Sequence, residues 1–386
     1  MDVTKRWSNL GVAAGAGASA ILAVWDVFIS TRVYIDDYVR NDFTFYYAAA
    51  RIGIEHGWSK IYDLDLQQAQ LSAMAPGAQA THISALARFI SPPPLAWLAT
   101  PFSLLPFQPA YGLWVLMLVL ALLLAWRLAA PGVGYRRAVH LVAAMAWFPV
   151  AYGLQLGQPV MFVAAGVAAS YALLRSGRDL WAGALLGAMV VKPQLAFLVP
   201  LALLAAGRRK AFMSCVAVTG ALALVSVINV GPNGISTLYD RLSFAGTRVL
   251  QLYTLSVVIP DATVTHAIQF IIALWALALA YMLRRRIELV FAVALVGGLL
   301  ATPYLHLDDF AMLGLAAWIY LRTEGPSWRW LYLLGLVFAA EGLPVWGAIP
   351  VLVLELGALV LLTLVALRRE GAMPSDTVGE SLSARN

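Results

Sequence analysis

Charge is what this chain has least of. Asp, Glu, Lys and Arg make up 12% of its 386 residues, about half the share of an ordinary soluble domain, which excludes that class. Cysteine is almost absent. Its one copy, Cys215, lies inside an apolar run, so there is neither a disulfide framework nor a cysteine-based zinc cluster. No G-x-x-x-x-G-K-[ST] loop occurs, which excludes a P-loop nucleotide motor within this sequence. The acidic pairs of soluble nucleotide-sugar enzymes have only a weak counterpart in Asp63 and Asp65. Inverted repeats of the kind many transporters carry are not evident.

What fills the space is apolar. Hydrophobic residues account for 61% of the chain, and mean hydropathy is +0.79. Runs of about twenty apolar residues recur from end to end without period-two alternation, which predicts an all-α polytopic membrane protein rather than a barrel. The first run, Leu10 to Ser30, follows Lys5 and Arg6. It exceeds the usual apolar core of a signal peptide and reads as a retained signal-anchor. The net charge of +6 comes from short basic clusters between runs, a pattern of topology determinants rather than of nucleic-acid binding.

The positive-inside rule places those clusters in the cytoplasm: Lys5/Arg6, Arg127 with Arg136/Arg137, Arg175/Arg178, Arg208/Arg209/Lys210, Arg284/Arg285/Arg286, Arg322/Arg329 and Arg368/Arg369. Paired crossings between them give about 12 transmembrane helices in a single membrane domain, residues 1–367, with both termini inside. Residues 32–91 become a large first extracytoplasmic loop, residues 231–262 a second outer loop, and residues 368–386 a disordered cytoplasmic tail. The interval Asp179 to Gly207 is too short for two full spans and contains Lys192-Pro193-Gln194. Two half-length helices meeting at the proline fit it, a break tolerated where it lines a cavity or is buried in protein.

Four places carry polar chemistry. In the first loop, Asp42 opens DFTFYYAAARIGIEHG, whose apolar residues recur at helical spacing and predict an amphipathic helix along the outer surface. Asp42 is either the N-cap of that helix or a general base at its start, and Asp36 and Asp37 are rival acids. Lys192 is a cation inside an apolar segment, either snorkelling or facing a cavity where it would suit a phosphate as a point charge. The segment TPYLHLDDF holds Tyr304, His306, Asp308 and Asp309. It matches no strong metal-ligand spacing, so no metal is expected, and bonding to sugar hydroxyls or phosphate is the simpler role. In GLQLGQP, Gln155 and Gln158 form either a polar turn or a pair of sugar-binding amides.

Taken in order, DFTFYYAAA, IYD, PPPLAWLATPFSLLPF, LGQP, VVKPQLAFLVPLALLA and ATPYLHLDDFAML resemble the GT-C glycosyltransferases of family 87, from Asp42 to about Leu321. This is the polyprenyl-phosphate-mannose-dependent class that includes the mycobacterial phosphatidylinositol-mannoside mannosyltransferase, and the bacterial branch is the better match. The resemblance implies a GT-C-like membrane enzyme without cofactor or metal. Such an enzyme moves a hexose, mannose in the family, from a polyprenyl-phosphate donor to a lipid or glycan acceptor with inversion. It implies the plasma (inner) membrane, with the active site on the periplasmic or extracytoplasmic side. It also implies roles: Asp42 as general base, Lys192 and His306 on the donor phosphate, and Tyr46, Gln158, Gln194, Tyr304 and Asp309 on substrate. Membrane lipids are the other expected partner, and nucleic acid is not one. Two rival classes are a transporter or flippase of lipid-linked sugars and a surface-glycan polymerase or ligase. The first would pair the Lys192-Pro193 break with a second one later in the chain, and the second usually carries its large outer loop late.

Overall fold

The computed structural model describes residues 3–74, 88–247, 253–323 and 341–370. Every regular element among them is helical. The first helix, α1 (Val3–Asp36), is a long apolar rod, and Ile21, Val24 and Trp25 stand exposed on it, as expected of a lipid-facing span. The first loop folds into α2 (Phe43–His56), α3 (Leu64–Met74) and α4 (Pro93–Ser103). The chain then returns through α5 (Phe107–Ala129), which packs along α8 (Val160–Arg175).

Between those two lies a broken pair, α6 (Gly134–Met145) and α7 (Phe148–Leu156). The sequence pattern suggests one continuous span from Ala138 to Tyr152, but the two helices meet at 63°. Trp147 adopts an extended conformation and Pro149 occupies the first turn of α7, so no continuous hydrogen-bond ladder can run through the junction.

The Asp179–Gly207 interval folds as two short helices, α9 (Asp179–Ala188) and α10 (Leu198–Ala205), with 3-10 turns at Met189–Val191 and Pro193–Leu195 between them. Next comes α11 (Arg209–Thr247), broken at Gly231, where φ is +68° and Pro232 follows. Gly tolerates this left-handed turn and Pro restarts the helix as its first residue. Much of the expected second outer loop, 231–262, is therefore helical. The remaining helices are α12 (Ala262–Met282), α13 (Ile287–Ala301), α14 (Ala311–Tyr320), α15 (Leu343–Trp346) and α16 (Ile349–Glu370). From Leu289 to Ala301 every residue of α13 is buried, and it packs against α10, α12, α14 and α16. A helix apolar all round belongs in such a centre.

Five helices among the described residues are long and apolar enough to cross a membrane, or six if α6 and α7 form one span. This is fewer than twelve. Helices such as α8 and α13 are apolar but, at 16 and 15 residues, rise only about 24 Å at 1.5 Å per residue, short of a hydrocarbon core of about 30 Å. The sequence pattern also suggests a span from Trp330 to Leu343, which falls almost wholly outside the described residues, as does the tail beyond residue 370.

Candidate active site

Asp42 occupies the residue before α2, yet its side chain makes no capping hydrogen bond. The neighbouring Asn41 does that work. Its Oδ1 accepts from the Thr44 backbone N–H at 3.1 Å, and its Nδ2 donates to the Tyr38 carbonyl at 2.8 Å. Released from capping, the half-buried Asp42 carboxylate is free for other chemistry. The backbone of Asp42 is fixed by donation from its N–H to the Leu156 carbonyl at 2.8 Å, tying the start of α2 to the end of α7.

The expected surface position of α2 is corrected. Phe43, Thr44, Tyr46, Tyr47, Ala48 to Ala50, Ile52 and Gly53 are buried, and only the last turn stands clear. α4 packs against α2, and the small side chains of Ala48 to Ala50 permit close approach by neighbouring elements. Phe43 stacks on Trp114 of α5 at 4.9 Å between ring centroids. The indole of Trp114 donates to the Gly157 carbonyl at 2.8 Å, and the Tyr111 hydroxyl to the Gln155 carbonyl. This aromatic wall fixes the LGQP turn. Gly157 has φ of +70°, and a Cβ there would lie 2.9 Å from the Cβ of Phe43.

Gln158 leaves that turn with both ends of its amide engaged. Its Nε2 donates to Asp42 Oδ2, while its Oε1 accepts from the Tyr46 hydroxyl at 3.1 Å and from Lys192 Nζ at 3.0 Å. Lys192 sits between the two 3-10 turns with φ −148° and ψ 73°, as the following proline requires by disfavouring helical backbone before it. Buried, it does not snorkel. Its ammonium lies 2.7 Å from Asp308 Oδ2 and 2.5 Å from Asp309 Oδ1. Both acids come from the 3-10 turn Leu307–Phe310 and are wholly buried. Asp309 Oδ2 also accepts from the His306 backbone N–H at 2.8 Å, and the Tyr304 hydroxyl shares a 2.6 Å hydrogen bond with His306 Nε2.

Asp42, Tyr46, Gln158, Lys192 and Asp309 thus belong to one network of hydrogen bonds and ion pairs, with Tyr304 and His306 half-buried beside it. Gln194 is half-buried in the next 3-10 turn and makes no side-chain hydrogen bond to it. Asp36 and Asp37 stay at the end of α1, outside it. Asp63 caps α3, accepting from the Asp65 and Leu66 N–H groups at 3.0 and 3.2 Å. The Oε1 of Gln155 faces α1, accepting from the Ser30 hydroxyl at 3.4 Å. Asp308 stands with Asp309 in the TPYLHLDDF motif, but the resemblance implies a role for Asp309 alone. The fully buried contact of Asp308 with Lys192 makes it an equal member.

Burial sets the electrostatics. It pushes the Asp42 carboxyl up to about 6, with Asp308's charge adding to the rise and His306, Lys192 and the Gln158 hydrogen bond opposing it. Burial also lowers His306 below its usual value, keeping the imidazole neutral around pH 7. No cluster of three or more His, Cys, Asp or Glu side chains among the described residues is arranged to hold a metal ion.

An all-helical bundle with membrane-length apolar helices, enclosing a polar site of acids, one ammonium and a histidine, defines a membrane protein built to handle a polar substrate. Residues 89–307, more than half of the chain, match the model of glycosyltransferase family 87, and the protein belongs to that family of membrane glycosyltransferases. Gln158, Lys192, Gln194, Tyr304 and His306 fall within the match; Asp42 and Tyr46 precede it, and Asp308 and Asp309 lie just beyond its end. No curated protein and no solved structure matches the chain.

Proposed function

We propose that this enzyme transfers a hexose, mannose in the first instance, from a polyprenyl-phosphate donor to a hydroxyl of a lipid or glycan acceptor. Transfer takes place at the extracytoplasmic face of the plasma membrane, with inversion. Asp42 takes the proton of the acceptor hydroxyl as its oxygen bonds to the anomeric carbon. The bond from that carbon to the phosphate oxygen breaks, and the phosphate leaves with the electron pair. Such a leaving group is stable as an anion and needs no strong acid to protonate it, unlike the leaving oxygen in glycoside hydrolysis. His306 and Tyr304 offer polar contacts at the half-buried edge of the site, and Lys192 supplies the positive charge behind them. Gln158 orients Asp42 rather than binding sugar, because its amide is already used. Twelve crossings, with the acid-bearing loop outside, complete this reading.

The observation that carries it is an aspartate at a helix start that does no capping and is instead held, through Gln158, beside a buried lysine. Purified wild-type protein and Asp42→Asn are incubated with labelled polyprenyl-phosphate-mannose and extracted membrane glycolipids. Transfer by wild type and its loss in the variant are expected. Absence of transfer from any polyprenyl-linked donor, or full activity of the variant, would overturn the reading.

A further inference from the structure

The network holds more negative charge than positive. Asp42, Asp308 and Asp309 supply three carboxyl groups, and among the described residues Lys192 is the one ammonium there, touching Asp308 and Asp309 directly and Asp42 only through Gln158. The two acids that touch it are both 0% exposed, so water does not relieve their repulsion. Asp308 Oδ1 and Asp309 Oδ1 are buried without a hydrogen-bond donor of good geometry. Two carboxylates meeting at one buried cation do not both ionise readily. A phosphodiester arriving beside them adds another negative charge, in surroundings where Coulomb energies are several-fold larger than in water.

We propose that binding of the anionic donor is accompanied by uptake of one proton from solvent, carried by Asp309. The proposal rests on the phosphate-linked donor of the preceding section and assigns Asp309 as a positioning residue that sets the charge of the site. The proton goes onto a carboxylate oxygen of Asp309, converting Asp309 to a neutral acid. Lys192 then balances Asp308 alone, and its remaining hydrogen-bonding capacity can turn towards the ligand. When the products leave, the proton returns to solvent, so the cycle balances.

Asp309 is the group suited to the task. Lys192 donates a well-formed hydrogen bond to Asp308 Oδ2 at 2.7 Å, whereas its contact with Asp309 Oδ1 lacks hydrogen-bond geometry. Burial and Asp308's charge accordingly raise the Asp309 carboxyl, while Lys192 holds Asp308 below the usual carboxylate range. The other titratable groups facing this cluster are Asp42, Tyr46, Tyr152, Lys192, Tyr304 and His306. Asp42, raised to about 6, and His306, whose charged form burial disfavours, are the other groups able to take up a proton, and Asp309→Asn separates them from Asp309.

The test is titration calorimetry at pH 8 on the full-length protein in detergent. The probe is a short-chain isoprenyl phosphodiester of mannose with a methylene in place of the anomeric oxygen, which carries one fixed negative charge and is not turned over. Its binding enthalpy is measured in buffers of different ionisation enthalpy. In wild type, about one proton is taken up per ligand, and affinity falls up to tenfold per pH unit above pH 7. In Asp309→Asn, the enthalpy no longer depends on the buffer and affinity is flat across the same range. Binding by wild type without proton exchange overturns the proposal and leaves the donor reading intact. Uptake unchanged in Asp309→Asn overturns Asp309 as carrier, and with it the proposal. No binding by wild type overturns the donor reading and this inference together.

Discussion

The Asp42 carboxylate is held by the side-chain amide of Gln158, 116 residues further along the chain. The same amide accepts from Lys192 at 3.0 Å, so one neutral side chain spaces the acid from the ammonium while touching both. A direct ion pair would hold Asp42 ionised but make it a poor base. The bridge keeps it anionic through a hydrogen bond and leaves its other oxygen for a substrate proton.

Asp42→Asn is expected to lower transfer by 100- to 10,000-fold, the range ascribed to a positioned general base. The Asn carbonyl can still accept from Gln158, so thermal unfolding should shift by no more than a few degrees. A measured rate within tenfold of wild type would remove Asp42 from the mechanism.

Gln158→Leu removes the donor to Asp42 and the acceptor for Lys192 at similar volume. Because that hydrogen bond stabilises the ionised carboxylate, its loss raises the pKa of Asp42. The acidic limb of the pH–rate profile should move to higher pH, with a lower plateau. A variant that merely loosened the fold would lower the plateau without moving the limb.

The wild-type profile follows from the same group. A base works deprotonated, and burial raises Asp42 to about 6. At saturating donor, transfer should therefore be level above that region and fall up to tenfold per unit as pH drops through about 6. A limb near pH 4, the value of a solvated aspartate, would show that burial does not govern this acid in the working enzyme.

Lys192→Met leaves Asp308 and Asp309 buried without a counter-ion. Breaking a buried pair in this way costs about 3–5 kcal/mol, read as a large drop in melting temperature or as misfolding. Adding Asp308→Asn and Asp309→Asn removes the stranded charges and should recover most of that stability without restoring transfer. If the triple variant is no more stable than Lys192→Met, the ion pairs do not explain the loss.

Gly157→Ala places a Cβ 2.9 Å from that of Phe43 at a φ of +70°. Strain and crowding together should cost about 1–3 kcal/mol. Because Gln158 is the next residue, activity should fall further than stability does. Equal activity per folded molecule would show that the turn tolerates displacement.

Much of this was legible along the chain. The break at Lys192-Pro193 follows from the length of the interval and the chemistry of proline, and its two short helices are there. Helices α5, α12 and α16 are among the helices apolar and long enough to cross a membrane, as the recurrent apolar runs suggest. The amphipathic pattern of α2 suggests a surface helix, but α3 and α4 both pack against it and bury residues around most of its circumference. The bend between α6 and α7 was also missed, since Pro149 sits within a run whose apolar content shows no interruption. Sequence alone does not rank Asp308 against Asp309, because adjacent acids in one motif are equivalent there. A shared contact with Lys192 makes both members of the site.

By itself, the sequence determined the solvent and the chemistry available. Scarce charge and recurrent apolar runs require helices in a membrane, and the few polar residues left inside them are costly enough to mark a site. Only the tertiary structure decided which of those residues act together. Asp42, Gln158, Lys192 and the 308–309 pair lie on segments far apart in the chain, and hydrogen bonds of about 3 Å between them depend on how the helices pack. The same packing gave the capping role to Asn41 and freed Asp42, a choice local sequence leaves open because either residue can accept the backbone N–H groups at a helix start.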